Sequence, residues 1–222
     1  MDSTPRSLVV DLDPTPRSLA AGTVLHMTSI RHTDLLDAAR DSMLAVGVRR
    51  TTLTDVARRA GISRMTVYRR YPDVTALFSD LMIREFGEVL RAAVAAGARR
   101  RSARHRLVAE AVAGVKAIQD NPLFAKVLDL EPELLLPYVV DRVGINQRMA
   151  IERFAELLRA GYVDGSIRRG EPDEQALALL LVIQSFALAS RPMRAESNPV
   201  RLLEELERVL DSYLRPAIRR AA

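Results

Sequence analysis

The residue types best suited to chemistry crowd into one short stretch, RMTVYRR. There Arg64, Met65, Thr66, Tyr68, Arg69 and Arg70 take every position but that of Val67. An arginine fork matches a guanine edge or a phosphate in two parallel bonds. Met65 and Thr66 can meet thymine methyls, and the Tyr68 hydroxyl suits a phosphate oxygen. Thr52 and Thr54, a few residues upstream, join the set, Thr52 as a further phosphate anchor. Charge for a backbone together with donors and methyls for base edges is the equipment of a double-stranded DNA reader. Enzyme chemistry finds no comparable set. His26, His32 and His105 are scattered, and no acid pair has catalytic or metal-ligand spacing. Glu131 and Glu133 flank a proline turn and read as solvated. We therefore expect no catalytic residues, no metal and no cofactor.

The elements that must hold this stretch are legible on either side of it. Thr52 with Asp55 three residues on has capping-box spacing, which starts a helix whose apolar face is Leu53, Val56 and Ala57. Gly61 falls where a helix end wants a left-handed residue, and Ser63 caps a second helix, Arg64 to Arg70, anchored by Val67 and Tyr71. Two short helices joined by a glycine turn make a helix-turn-helix, with the second in the major groove. Before them, Leu35, Leu36, Ala39 and Met43 stripe a first helix from about Ile30 to Val46, ended by Gly47. After them, Leu77, Phe78, Leu81, Met82, Phe86, Val89, Leu90 and Ala93 line a long fourth helix from about Asp73. That helix is the mechanical link to whatever follows.

Composition narrows the rest. The chain has 222 residues, is 48% hydrophobic and carries a net charge of +5. Of its 33 basic residues only Lys116 and Lys126 are lysines, a bias that GC-rich codon usage also produces. Only the placement of particular arginines therefore bears on function. Cysteine is absent, which excludes disulfides and thiolate chemistry and fits a reducing cytoplasm. Residues 1–28, with Pro5, Pro14, Pro16 and the segment TPRSL at 4–8 and again at 15–19, read as a disordered extension without signal-peptide features. Arg6 and Arg17 make it either an arm for extra phosphate contacts or an inert tail. Residues 29–75 then form the DNA-binding domain and 76–222 a helical regulatory and dimerisation domain.

That second domain is read helix by helix. Arginines at 91, 99, 100, 101, 104 and 106 fit a solvated loop better than a nucleic-acid patch. A helix over 102–119 follows, then a short one from Asn121-Pro122 through Leu128, then a stretch broken by Pro132 and Pro137. An amphipathic helix runs to about Ala160, with Val143, Phe154, Leu157 and Leu158 inward, and Glu152, Arg153, Glu156 and Arg159 outward; Gly161 ends it. Pro172 opens a helix that is apolar on all sides from Ala176 to Ala189 except at Gln184 and Ser185, and is too short for a membrane. Asn198-Pro199 caps the last helix, striped by Leu202, Leu203, Leu206, Val209, Leu210 and Tyr213. We expect the last two helices to form a homodimer interface through Leu177, Leu180, Leu181, Leu188, Leu203, Leu206 and Leu210. No segment alternates with period two, so the fold is all-α, with about nine helices.

LLDAARDSML, Gly47, TTLTDVARRAGIS and TVYRRYPDVTALF, spanning roughly 31–78, resemble the DNA-binding domain of the TetR family of one-component transcriptional regulators. The C-terminal part is similar to the family in architecture only. The resemblance implies a dimeric regulator on a palindromic operator, with a small-molecule effector held inside the C-terminal helices. The expected function is a repressor released by a largely apolar ligand, with a ligand-independent regulator or an activator as the alternative. Phe124, Leu128, Leu135, Tyr138, Met149, Phe154 and Gln184 are the candidate lining, each also readable as plain core. One departure stands out. The family often has lysine where Val74 stands and glutamate where Thr75 stands, so Arg69, Arg70 or Arg49 is expected to supply the missing cation.

Overall fold

The structure, a computed structural model, describes the backbone of residues 22–137, 141–189 and 196–217, with side chains from residue 34 onward except that of residue 189. Every regular element among these residues is a helix. The helices are α1 (Gly22–Val46), α2 (Leu53–Arg59), α3 (Arg64–Arg70), α4 (Val74–Gly97) and α5 (Ala103–Asp120). They continue as α6 (Pro122–Leu130), α7 (Ile145–Val163), α8 (Pro172–Ala189) and α9 (Pro199–Leu214), with a 3-10 turn at Pro132–Leu134. Helix α1 starts well before the expected Ile30. Nothing between Gly22 and Ile30 breaks a helix, and extending one costs far less than nucleating it. Residues 22–28 are therefore helical rather than part of a disordered tail. Residues 1–21, and with them both TPRSL segments, lie outside the described residues.

Local chemistry sets the ends. Thr52, Ser63, Asp73, Ser102, Asn121 and Asn198 each cap the helix that follows by accepting a backbone N–H of its first turn. Gly161 does not end α7. It lies inside the helix, buried, where a Cβ would overlap the Ile167 side chain, and the left-handed residue is Gly165 (φ 72°). The glycine was needed for close approach, not for a turn.

Two clusters of buried side chains organise the packing. The N-terminal one gathers Leu35, Ala39 and Met43 of α1, Leu53 and Val56 of α2, Val67 of α3, and Leu77, Phe78 and Leu81 of α4. It also takes in Leu123, Phe124 and Val127 of α6, so α6 packs with the helix-turn-helix rather than apart from it. The second joins Leu107, Ala111 and Val115 of α5 to Phe154 and Leu158 of α7, Leu179 and Ile183 of α8, and Leu206, Leu210 and Leu214 of α9. Phe86 of α4 and Ile118 of α5 touch both clusters. Helix α4, about 36 Å long at 1.5 Å per residue, is thus rooted in the first cluster by its N-terminal half and reaches the second through Phe86 near its middle.

Three inward or outward assignments are corrected. Arg153 turns onto the buried Glu110, donating from Nη2 (2.7 Å) and Nε (2.9 Å). A two-pronged pair of this kind is how a buried carboxylate is tolerated. Val143 is exposed, not inward. Glu131 is buried rather than solvated.

Candidate nucleic-acid interface

The recognition surface is built from the inside out. Val67 is fully buried, and Tyr71, at the C-cap of α3, is 3% exposed. With those two facing the core, the seven-residue helix must present every other side chain to solvent. Met65 is 78% exposed and Tyr68 51%, values that no folding requirement explains for such large apolar groups. Arg64, Thr66, Arg69 and Arg70 are exposed beside them. Arg64 and Arg69 form no ion pair among the described residues, so their charge is free for another polyanion. The Thr66 hydroxyl is held by Ser63 Oγ (2.8 Å), which leaves its methyl as the group on offer. Gly61 (φ 65°) makes the turn between α2 and α3, and Ile62 N–H returns to Ala57 C=O at 3.0 Å.

The upstream threonines fare differently. Thr54 is half-buried on α2. The Thr52 hydroxyl donates to Asp55 Oδ2 (2.6 Å) while its oxygen accepts the Asp55 N–H (3.1 Å). That capping box uses up the hydroxyl, so Thr52 is not a free phosphate donor as expected. The Thr52 bond, with Arg58 and Arg64 adding to it against some desolvation, holds the Asp55 carboxyl below the usual carboxylate range. The group stays ionised and keeps its grip on Thr52.

Geometry separates the three arginines expected to supply the cation missing at Val74. Arg49 pairs with Glu133 at 2.5 Å, and Arg70 lies over the Tyr71 ring, 5.7 Å from its centroid. Arg69 alone of the three expected substitutes makes neither contact. Val74 itself packs partly into the N-terminal core, and Asp73 occupies the α4 N-cap, accepting from Ala76 N–H at 2.8 Å.

Behind the surface, polar ties fix α3 to α4, and α4 to α1 and the start of α6. Tyr71 donates its hydroxyl to Asp80 Oδ2 (2.7 Å), pinning the end of α3 to α4. Burial first, then that bond, raises the Tyr71 phenol well above its ordinary pKa and keeps it a donor. Glu85, 2% exposed in the middle of α4, accepts from Arg40 Nε of α1 (3.3 Å), Arg84 Nη2 (3.2 Å) and Asn121 Nδ2 at the start of α6 (2.9 Å). Burial pushes its carboxyl up, but the bonds from Asn121, Arg84 and Arg40 outweigh it and hold the group below the ordinary value. Sequence reading missed Glu85, although it falls on the apolar stripe of Phe78, Leu81, Met82 and Val89. An acid in register with such a stripe marks a buried polar hub.

The other two candidate sets are dispersed. Phe124 is buried in the N-terminal core and Phe154 in the C-terminal one, so the two belong to different clusters. Leu135 packs against the first cluster; Leu128 and Met149 are half-buried. Gln184 accepts from Gln147 Nε2 at 2.6 Å, and Tyr138 lies outside the described residues. In the expected dimer set, Leu206 and Leu210 are sealed inside the chain at 0% and 1% exposure and have no surface left for a second copy. The stripe they share with Leu214 is used against α5 and α8. Leu180 and Leu203 pack partly against the same cluster, and Leu188 is half-buried. Leu177 and Leu181, one turn apart on α8, are 40% and 69% exposed. Val200 and Val209 of α9 are exposed as well.

A three-helix head with a buried Val67, an exposed cationic third helix and a long helix leading into a helical body defines a helix-turn-helix DNA-binding regulator. The family model of bacterial regulatory proteins, tetR family, matches residues 35–81, from α1 to the third turn of α4. An uncharacterized HTH-type transcriptional regulator of Mycobacterium tuberculosis is 32% identical over 180 residues, 81% of this chain and 92% of that one. The protein belongs to the TetR family of transcriptional regulators. Among solved structures, one described as a TetR-family regulator from Rhodococcus sp. superposes with a TM-score of 0.65 at 21% identity, covering 84% of this chain and 99% of that one. The transcriptional regulator FadR from Bacillus subtilis, solved with stearoyl-CoA, gives a TM-score of 0.62 at 15% identity, covering 83% and 100%. At such identities the likeness is one of fold.

Proposed function

We propose that this regulator is a cytoplasmic homodimer that represses transcription from a palindromic operator and is released by a small, largely apolar ligand. The observation that carries the DNA half is the exposed, unpaired face of α3 over a fully buried Val67. One seven-residue helix spans too few base pairs for genomic specificity, and a twofold dimer doubles the site. Leu177 and Leu181 on α8, flanked by Val200 and Val209 of α9, are the exposed apolar surface we assign to that dimer. Arg64 reads a guanine edge, Met65 and the Thr66 methyl contact thymine, and Arg69, Arg70 and Tyr68 bind phosphates. No helix among the described residues is long and apolar enough to cross a membrane.

Selection of binding sites from a random duplex library tests the reading. The selected sequences should be inverted repeats, with affinity falling steeply as salt rises. Arg64→Ala should cost about 1–3 kcal/mol and relax one base position per half-site. Sites without twofold symmetry, or an unchanged base preference in the variant, would overturn the assignment. The ligand half is tested by operator release with a panel of apolar compounds that includes long-chain acyl-CoA esters. Release by none of them would leave a ligand-independent regulator as the better description.

A further inference from the structure

The least expected polar contact in the molecule joins the body to the helix-turn-helix head. Glu131, where α6 gives way to the 3-10 turn, is 7% exposed. Its Oε2 accepts the N–H of Val48 at 3.1 Å and its Oε1 the N–H of Arg49 at 3.0 Å. Both oxygens are therefore spent on consecutive amides of the α1–α2 turn. The turn is shaped to receive them. Gly47 takes φ 90°, and a Cβ there would stand 2.9 Å from Glu131 Oε1. The Thr51 hydroxyl closes the turn on Gly47 C=O at 2.7 Å, directly before the Thr52 cap of α2. Arg49 adds a pair with Glu133, on the same side as Glu131. At its other end α6 is tied to α1 through Asn121, Glu85 and Arg40. The head is thus gripped by α6 at two places.

We propose that Glu131 is a positioning residue for DNA binding. Its carboxylate fixes the α1–α2 turn, and through it the start of α2 and the angle at which α3 meets the groove. It touches no DNA itself. A buried carboxylate that satisfies two adjacent amides has no neutral equivalent, since an amide side chain offers one acceptor oxygen where two are required. The α6 corner thereby sets the pose of the head, and a displacement of α6 reaches the reading helix along bonds rather than through soft packing. The inference rests on the DNA-binding reading of α3.

The test uses the full-length dimer and an operator selected by the wild-type protein. Glu131→Gln should lower operator affinity about tenfold, within the range usual for coupling between sites, while the order of base preferences stays as in wild type. Glu131→Asp, one methylene shorter, should fall between the two. Affinities within twofold of wild type for folded Gln and Asp variants would overturn the proposal, and so would an altered base preference, which would place Glu131 at the bases. A second measurement needs no variant. Amide hydrogen exchange should show Val48 and Arg49 protected well beyond Arg50, and equal, fast exchange at all three would also overturn it. If the wild-type protein selects no DNA, the function assigned to α3 fails instead, and the exchange result still decides whether the carboxylate holds the turn.

Discussion

Removing the Glu85 carboxylate should destabilise the protein more than any surface change. The side chain is 2% exposed and accepts from three groups: Arg40 on α1, the neighbouring Arg84 on α4 and Asn121 at the α6 N-cap. Breaking a buried ion pair by deleting one partner costs about 3–5 kcal/mol, because the stranded charge stays buried. Here the Arg40 and Arg84 side chains retain 30% and 19% of their surface and can recover some water. We therefore expect the low end, about 3 kcal/mol, for Glu85→Ala. Glu85→Gln keeps the volume and one acceptor but turns an NH2 toward donors, for about 1.5–3 kcal/mol. Urea unfolding followed by circular dichroism at neutral pH should rank wild type above Gln above Ala. The pH dependence checks the charge itself. The folded-state pKa of Glu85 lies below its ordinary value, so its contribution is present above the unfolded-state pKa, about 4.3. It is lost as pH falls from there through the lower folded value. The wild type should lose stability over that acid interval more steeply than Glu85→Gln. A loss under about 1 kcal/mol for the Ala variant, or parallel acid limbs, would refute the hub.

Two further changes address the other ties. Tyr71→Phe removes the hydroxyl donated to Asp80 and should cost about 1 kcal/mol in urea unfolding; no change would show that the pin between α3 and α4 carries no weight. Leu177→Asp with Leu181→Asp places two charges on the exposed α8 face, and sedimentation should show monomers with unchanged helical content. A persisting dimer would move the interface elsewhere.

Amphipathic spacing made the helix-turn-helix readable residue by residue. Thr52 and Ser63 cap α2 and α3 where their side-chain types predicted, Asp73 caps α4 where that helix was expected to begin, Gly61 makes the turn, and Val67 is the inward residue of α3. These are short-range effects, decided within a turn or two of chain, so local sequence suffices. The stripe of α9 was equally plain, but not which surface it would cover. Leu206 and Leu210 suit a core and an interface alike, and only the packing of α5 against them spent that face inside the chain. Arg153 and Glu110 likewise look like ordinary surface charges until α7 and α5 come together.

By itself, then, the sequence determined the helices, their caps and the chemistry offered by α3. Tertiary structure alone decided which polar groups met. Glu131 stands 83 residues from Val48 and Glu85 stands 45 from Arg40. No periodicity encodes such a pairing. A carboxylate is stable in the interior only where distant backbone or side-chain donors converge on it, and that convergence exists only once α1, α4 and α6 have packed around a common core.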